Sequence, residues 1–318
     1  MSTQTGFERV PLGATDIQIS PLGIGTWAWG DAVFWQYGQD YTDADIASAY
    51  QASLAYGVNF FDTAEVYGLG RAERLLGRNI RQAGWPAVVA AKFFPFPWRL
   101  SRCQQRRAVH KSLERLGMER IDLYQMHWPF PPRSIEAWMD GLADAVEAGL
   151  IRAVGVSNYN AAQTRRAHAA LARRGIPLAS NQVDYSLWQR KPETSGLLEL
   201  CRQLGVTLIA YSPLAQGLLT GKYTPENPPP GLRGRRYARA LGRVQPLVAL
   251  LRELGAAHGD KTPAQVALNW AICKGTVPIP GAKNARQARD NAGALGWRLS
   301  PDEVRALDRA SAQATKSA

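Results

Sequence analysis

The sequence predicts an α/β protein folded as a (β/α)8 barrel of the TIM type, and two observations support that class. Short apolar segments rich in β-branched and aromatic residues alternate with longer segments of helical periodicity. This alternation is typical of parallel strands joined by crossover helices. Eight candidate strands in 318 residues suit a closed barrel better than an open sheet, because such a barrel needs eight strand–helix units.

The elements follow one another in a regular order. Apolar runs bounded by turn residues predict strands at residues 19–27, 57–62, 87–93, 121–127, 151–158, 179–185, 206–212 and 276–282. Segments of helical period predict helices at residues 43–56, 70–83, 101–116, 134–148, 161–174, 193–204, 244–258 and 263–273. Thr42 and the pair Thr262–Pro263 are helix start signals, since Thr caps a helix and Pro is tolerated in its first turn.

No composition break divides the chain, so a single barrel domain over residues 1–318 is predicted. One Pro- and Gly-rich stretch, residues 223–242, follows a late strand. We therefore expect a long loop at about 214–242, on the face where barrel enzymes keep their sites.

The composition restricts the class of protein. Hydrophobic residues make up 46% of the chain, which is ample for a core, and the three cysteines are widely separated. A disulfide framework or a metal site is therefore not expected. The N-terminus has no apolar run typical of a secretory signal, and no apolar stretch reaches the ~20 residues of a membrane helix. The sequence thus predicts a cytoplasmic protein with no membrane partner.

The formal net charge of +12 raises the question of nucleic-acid binding, since basic surfaces attract phosphate. The arginines, however, occur as pairs in helix-like segments, which is typical of solvated helix faces. No nucleic-acid motif is present. We expect no nucleic-acid partner, although a small polyanionic ligand is compatible with the charge.

Ionisable residues stand at the ends of three consecutive predicted strands. Asp62 ends the strand at 57–62, Lys92 lies near the end of the next, and His127 ends the third, while Tyr67 lies in the loop just after Asp62. Taken singly, each is more often a turn former or a packed polar residue. Because the strand C-termini of a barrel share one face, the four side chains are expected to converge there.

The chemistry that uses this set is proton donation to a carbonyl oxygen. A free tyrosine has a pKa of ~10, too high for an efficient acid near neutral pH. An ammonium group such as that of Lys92 would lower the pKa of Tyr67, and Asp62 would hold Lys92 in place. His127 would bind and orient the substrate oxygen.

The motifs resemble those of the aldo-keto reductases over residues 9 to 310. They are "FFDTAEVYGLGRAERLLG" (60–77), "AAKF" (90–93), "LYQMHWP" (123–129), "GVSNY" (155–159), "YSPLAQGLLTGKY" (211–223) and "PIPGAKNARQARDN" (278–291). The resemblance is closest to the branch with "IPGA". It implies a catalytic tetrad of Asp62, Tyr67, Lys92 and His127, with Tyr67 as the general acid.

The resemblance also implies an extended NADPH across the barrel mouth. Ser157, Asn158 and Gln182 would bind the carboxamide, and Tyr211 would stack on the nicotinamide. The pyrophosphate would lie against Ser212, Pro213, Leu214, Gly217 and Lys222, with Arg233, Arg235 or Arg236 adding contacts. The adenosine half would meet Gly281, Lys283, Gln287, Asp290 and Asn291. Lys283 favours NADPH over NADH, because a 2′-phosphate requires a cation.

Aromatic residues near the same strand ends predict an apolar substrate rim. Trp27, Phe93 and Trp128 are the main candidates, and Trp29 and Trp98 are equally compatible with core packing. Such a rim suits aldehydes and ketones with a flat or apolar body.

The resulting hypothesis is NADPH-dependent reduction of an aldehyde or ketone. Two alternatives remain: a nicotinamide-sensing partner subunit, because the resemblance extends to potassium-channel beta subunits, and oxidation of an alcohol or sugar by the same residues. The sequence leaves open the physiological substrate and whether the protein is a monomer or a homo-oligomer.

Overall fold

Eight parallel strands in chain order form the central sheet, and a short antiparallel hairpin precedes them. The computed structural model describes residues 7–85, 87–131, 133–229 and 232–315, without the side chains of residues 232, 233, 235 and 236. The hairpin consists of β1 (Val10–Pro11) and β2 (Gln18–Ile19). The parallel strands are β3 (Ile24–Gly25), β4 (Phe60–Asp62), β5 (Val88–Phe93), β6 (Ile121–Met126), β7 (Ile151–Ser157), β8 (Leu178–Asp184), β9 (Thr207–Tyr211) and β10 (Val277–Pro278).

The first and last strands of the sheet meet and close it. The backbone N–H of Gly23 donates to the carbonyl of Pro278, and that of Gly25 to the carbonyl of Pro280, both at 3.0 Å. Gly25 also forms a parallel bridge with Gly281. A side chain at Gly25 would crowd the backbone at Ile279, since an added Cβ would lie 3.0 Å from its carbonyl oxygen. The predicted (β/α)8 barrel is confirmed.

Helices surround the barrel. They are α1 (Asp43–Ala55), α2 (Arg71–Ala83), α3 (Arg102–Leu116), α4 (Ile135–Glu147), α5 (Ala161–Ala172), α6 (Lys191–Thr194), α7 (Leu197–Gln203), α8 (Leu232–Ala257), α9 (Pro263–Cys273), α10 (Ala285–Ala292) and α11 (Pro301–Thr315). Ser101, Asn160 and Thr262 cap α3, α5 and α9 with side-chain hydrogen bonds, as their residue types favour. None of the described helices is both long and apolar enough to cross a membrane.

Some boundaries differ from the predicted ones. The stretch predicted as a loop at about 214–242 contains a 3-10 turn, Ala215–Thr220, and its second part is the start of α8. The run of Pro and Gly residues at 228–231 ends before this helix, and the Arg, Ala and Leu residues that follow favour a helix. The helix predicted at 193–204 is split into α6 and α7, because Gly196 adopts a left-handed φ of 74°.

The apolar core has two layers. One lies between the strands and the surrounding helices. The other fills the barrel interior, where Leu12, Ile17 and Ile19 of the hairpin segment pack in the same cluster as Phe60 and Leu123 of the strands. The hairpin therefore covers the N-terminal end of the barrel, and the end that carries the strand C-termini remains for a site.

Candidate active site

The four ionisable residues predicted from the strand ends meet at the C-terminal end of the barrel. Lys92 lies at the centre of the group. Its ammonium donates to the carboxylate of Asp62, to the phenol oxygen of Tyr67 at 3.2 Å and to the carbonyl of Thr63 at 3.0 Å. Tyr67 is the first residue of a 3-10 turn, Tyr67–Gly70, and this turn places its phenol over the strand ends.

The lysine–aspartate pair is removed from solvent. The Lys92 side chain is 0% exposed and that of Asp62 is 2% exposed. Burial alone would lower the pKa of Lys92, but the neighbouring Asp62 and Tyr67 raise it, and the net direction is upward. Lys92 is therefore held as an ammonium at neutral pH. The second carboxylate oxygen of Asp62 accepts from Gln182 at 2.8 Å and from Gln125 at 3.2 Å.

Burial and the two neighbouring charges act in opposite directions on the pKa of Tyr67. Burial raises the pKa of its phenol, Lys92 lowers it and Asp62 raises it, and the net direction is above the usual value of 10.0. The expected effect of Lys92 is present, but burial outweighs it. The phenol is therefore protonated at neutral pH, and the ammonium of Lys92 lies beside it.

His127 completes the group as a neutral ring. Burial and the nearby Lys92 hold the pKa of His127 well below its usual 6.5. The imidazole stands edge-on to the Tyr67 ring, with 5.9 Å between ring centroids. Its Nδ1 is buried without a hydrogen-bond partner among the described residues. A neutral imidazole retains one N–H donor, which suits a ligand oxygen.

A cavity of about 1610 Å³ extends from this group across the barrel mouth. Asp62, Tyr67 and His127 line it, whereas Lys92 lies behind them. Most of the residues predicted to bind a ligand also line it: Trp27, Trp128, Ser157, Asn158, Gln182, Tyr211, Ser212, Pro213, Leu214, Gly217, Lys222, Gly281, Lys283, Gln287, Asp290 and Asn291. The structure thus brings these residues into one continuous site.

The amide side chains in the cavity also connect the strand ends to one another. Asn158, with a left-handed φ of 63°, donates to the carbonyl of His127 at 3.1 Å and accepts from the Tyr211 hydroxyl at 3.0 Å. Ser157 donates to the carbonyl of Gln182 at 2.9 Å. Because buried polar groups are normally paired, these contacts account for amides at the ends of strands.

Positive charge is concentrated at the far end of the cavity. Lys283 donates to the carbonyl of Trp35 at 2.9 Å, and its ammonium lies 4.4 Å from the centroid of the Tyr41 ring. Arg286 and Arg289 of α10 also line this end. Neither arginine was predicted from the sequence, because α10 was not among the predicted helices, although a helix beginning near Ala285 places the two about one turn apart. This end of the cavity suits an anion.

Some predicted rim residues lie elsewhere. Phe93 does not line the cavity: strand neighbours alternate faces, so it points away from Lys92 and is buried against Trp138, with 5.3 Å between ring centroids. Trp29 is fully buried and donates to the carbonyl of Ala282 at 2.8 Å. The side chains of Arg233, Arg235 and Arg236 lie outside the described residues.

The aromatic rim has two stacked walls. On one side Trp27 stacks on Phe34, with 5.2 Å between centroids, and on the other Trp128 stacks on Phe130 at 5.3 Å. The exposed Trp98 belongs to a third group, stacked on Phe96 at 4.7 Å. An opening bounded by flat aromatic faces suits a flat or apolar ligand.

An ion pair missed in the sequence anchors the loop that carries Phe96. Glu65 accepts from the Arg99 guanidinium at 3.0 Å and from the backbone N–H of Phe94 at 2.7 Å. The guanidinium carbon of Arg99 lies 4.7 Å and 5.1 Å from the ring centroids of Phe93 and Phe96. Phe94 in turn packs edge-on against His127, with 5.6 Å between centroids. The loop is therefore fixed against the site.

Among the described residues there is no cluster of His, Cys, Asp and Glu suited to a metal ion.

Known proteins resemble this chain in sequence and in fold. The family model for the Aldo/keto reductase family matches residues 21–312. A chloroplastic pyridoxal reductase of Arabidopsis thaliana is 42% identical over 325 aligned positions, covering 98% of this chain and 88% of that protein. An uncharacterised oxidoreductase of Mycobacterium bovis is 41% identical, covering 91% of this chain and 88% of that protein.

Solved structures show the same relationship. A thermostable aldo-keto reductase in complex with the inhibitor epalrestat superposes with a TM-score of 0.77 at 31% identity, covering 96% of this chain and 100% of that one. A glycerol dehydrogenase of Gluconobacter oxydans has a TM-score of 0.81 at 27% identity, covering 98% and 97% of the two chains. With its barrel and the match along nearly its whole length, the chain belongs to the aldo-keto reductase family of oxidoreductases.

Proposed function

We propose that this protein reduces an aldehyde or ketone to the alcohol with NADPH, and that Tyr67 is the general acid. The observation that carries the proposal is the contact of a fully buried ammonium with a phenol at the edge of the cavity: Lys92 lies 3.2 Å from Tyr67 and is ion-paired with Asp62. A phenol with a cation beside it can release a proton at lower cost than a phenol in an apolar site.

Each residue has a distinct task in this mechanism. The N–H of neutral His127 binds the carbonyl oxygen and orients it toward Tyr67. As negative charge develops on that oxygen, the phenol of Tyr67 donates its proton. Lys92 stabilises the phenolate, and Asp62 holds Lys92 in position and charged. General acids of this kind contribute typically ~10²–10⁴-fold to a rate.

The residues present fit the cofactor. The cavity of about 1610 Å³ is lined by four cations, Lys222, Lys283, Arg286 and Arg289, whose charges suit a pyrophosphate and a 2′-phosphate. When bound, the reduced nicotinamide supplies a hydride to the carbonyl carbon. Four aspartates, Asp40, Asp62, Asp184 and Asp290, also line the cavity, so its overall charge does not decide between the cofactors. We infer NADPH and not NADH from the grouping of Lys283, Arg286 and Arg289 around the start of α10, because a 2′-phosphate requires a cation.

Assignments along the cavity follow from position. Ser157, Asn158, Gln182 and Tyr211 would hold the nicotinamide end, next to the tetrad. The turn at Ser212–Leu214, with Gly217 and Lys222, would hold the pyrophosphate, and the predicted contact from Arg233 stays a prediction. Gly281, Lys283, Gln287, Asp290 and Asn291 would hold the adenosine half.

The aromatic walls and one relative guide the choice of substrate. Trp27 and Trp128 line the cavity beside the tetrad, and their faces suit a flat ring. The relative from Arabidopsis thaliana is named a pyridoxal reductase, and pyridoxal is a flat aromatic aldehyde. Pyridoxal is therefore the first substrate to test, within a panel of aliphatic and aromatic carbonyls.

The experiment is NADPH oxidation by wild type, Tyr67→Phe and the control Tyr56→Phe, followed by absorbance, with NADH in parallel. Tyr56 is an exposed tyrosine at the end of α1, so its variant should keep full activity. Tyr67→Phe should lose at least about 10²-fold in kcat while NADPH binding, followed by fluorescence, is unchanged. Full turnover by Tyr67→Phe would refute the acid assignment.

Two further outcomes bear on the reaction. Tight NADPH binding with no turnover on any carbonyl would contradict the reductase function. Because one structural neighbour is named a glycerol dehydrogenase, the same samples should be assayed with NADP+ and alcohols, and faster turnover in that direction would reverse the proposed direction.

A further inference from the structure

A second cleft on the outside of the barrel is strongly basic. It has a volume of about 820 Å³ and lies between α2, α3 and the loop that precedes α1. Two acidic residues, Asp43 and Glu114, line it. Six cationic residues do so: Arg71, Arg74, Arg78, Arg81, Lys111 and Arg115. The lining therefore has an excess of four positive charges, and none of its cations lines the cavity at the barrel mouth.

The cations of this basic cleft are only partly neutralised. Arg78 pairs with Asp43 at 2.6 Å, and Arg115 pairs with the buried Glu73 behind the cleft. Within the part of the chain that the structure describes, Arg74 and Lys111 have no ion pair. Both side chains are exposed. At least two cations thus face the cleft without a counter-charge.

The arrangement along α2 is unfavourable for the helix itself. Four of its arginines recur three or four residues apart, which places them on one face of the helix. Like charges at this spacing destabilise a helix by ~0.2–0.5 kcal/mol per pair. On α3, Lys111 and Arg115 add two more positive charges to the cleft, and Glu114 offsets one of them. A bound anion would remove the repulsion.

We propose that the basic cleft is a binding site for a small molecule that carries several phosphate groups. Guanidinium groups bind phosphate oxygens through two parallel hydrogen bonds. A phosphate group carries up to two negative charges and three strong acceptor oxygens, so a cleft with an excess of arginine favours it over a monovalent carboxylate. The volume lies within the range of ligand sites, ~300–1,000 Å³. With the Glu73 that pairs with Arg115 counted as well, an excess of three positive charges remains, which favours a ligand with at least about three negative charges.

The basic cleft adjoins the loop at residues 26–42, which borders the cavity at the barrel mouth. Arg71 packs on the ring of Tyr37, whose centroid lies 5.4 Å from the guanidinium carbon, and Tyr37 packs edge-on against Tyr41. Tyr41 lines the cavity at the barrel mouth. The ligand would therefore bind on the opposite side of a loop that borders the active site. It would use none of the residues that line the cavity at the barrel mouth.

The test is calorimetric titration of the purified protein with tripolyphosphate, at low and at physiological ionic strength. Three proteins are compared: wild type, Arg74→Ala/Lys111→Ala, and the control Arg106→Ala/Arg165→Ala. The control removes the same charge from exposed positions on α3 and α5 outside the cleft. Loss of two charge-assisted contacts should weaken binding by at least about tenfold in the cleft variant. The control should stay within about twofold of wild type, a shift of about 0.4 kcal/mol.

Stability separates loss of the site from loss of the fold. The cleft variant relieves repulsion, so without ligand it should unfold at a temperature no lower than wild type. Tripolyphosphate should raise the unfolding temperature of wild type more than that of the cleft variant. Equal affinity in all three proteins would place the anion elsewhere and overturn the proposal, as would an absence of binding to wild type. Neither readout depends on reductase activity.

Discussion

Replacing Asp62 with Asn tests whether the carboxylate keeps Lys92 charged. Both side chains are removed from solvent, at 2% and 0% exposure, so the variant leaves a buried ammonium without its counter-charge. Breaking such a pair costs ~3–5 kcal/mol. The loss of folding stability in Asp62→Asn has an upper limit, because Lys92 can give up its proton instead of remaining charged without a partner. With an ordinary pKa of 10.5, deprotonation costs about 5 kcal/mol at pH 7 and about 2 kcal/mol at pH 9.

The pH dependence follows from these values. In wild type the pKa of Lys92 is raised, so its stabilising contribution is complete below the unfolded value and is lost only as pH rises through the folded one. In Asp62→Asn the folded pKa falls below the unfolded value, and the stability of the variant rises with pH in that window. The free energy of unfolding of Asp62→Asn should therefore lie about 3–5 kcal/mol below that of wild type at pH 7, and about 2 kcal/mol or less below it at pH 9.

The assay is urea unfolding at both pH values, followed by circular dichroism. Asp122→Asn is the matched control, because Asp122 pairs with the partly exposed Arg152 at 3.0 Å, and such pairs contribute ~1 kcal/mol or less. Its effect should be small and the same at both pH values. A destabilisation of Asp62→Asn that does not change with pH would refute the reasoning, since Lys92 would then keep its proton without Asp62.

Three other predictions follow from the same structure. The depressed pKa of His127 means that stability falls below about pH 6.5, by ~1.4 kcal/mol per pH unit; urea unfolding at lower pH should show this fall in wild type, and an equal fall in His127→Asn would contradict it. Glu65→Gln weakens the anchor of Arg99 and should raise KM for the preferred carbonyl about three- to tenfold with little change in kcat; an unchanged KM would remove the loop from substrate positioning. Gly77→Ala places a Cβ 2.0 Å from a backbone oxygen of α3 and should lower the free energy of unfolding by ~1–3 kcal/mol. The control Gly242→Ala, where the added Cβ meets open space among the described atoms, should raise it by up to ~1 kcal/mol. Equal shifts in the unfolding temperatures of the two variants would count against close packing of α2 on α3.

The barrel and the convergence of its strand ends could be predicted because both follow from local periodicity. The period of the apolar runs predicts strands, and parallel strands in sequence order leave little freedom for where Asp62, Lys92 and His127 lie. The same periodicity, applied one residue further, would have excluded Phe93 from the rim. Adjacent strand residues face opposite sides, so Lys92 and Phe93 cannot both point into the site.

Other features depend on contacts that local patterns do not contain. The hydrogen bond from Gln182 to Asp62 joins residues 120 positions apart, and the Glu65–Arg99 pair joins two loops across neighbouring strands. Arg286 and Arg289 were missed because α10 has only eight residues and is mostly polar, which gives a weak helical pattern. The start of α8 was misassigned because proline and glycine just before it dominate the composition of that window.

The directions of the pKa shifts in the tetrad give Lys92 a different role beside Tyr67 from the one expected from the sequence. From the sequence, Lys92 is expected to bring the pKa of the phenol down toward neutral pH, yet burial outweighs its effect and the pKa of Tyr67 is raised. A phenol in this state keeps its proton throughout the neutral range, so the donor is always loaded. Because Lys92 is fixed and charged before any proton moves, it stabilises the phenolate only as that charge forms. In the proposed reaction this favours the transition state over the resting state, which is the condition for a faster chemical step.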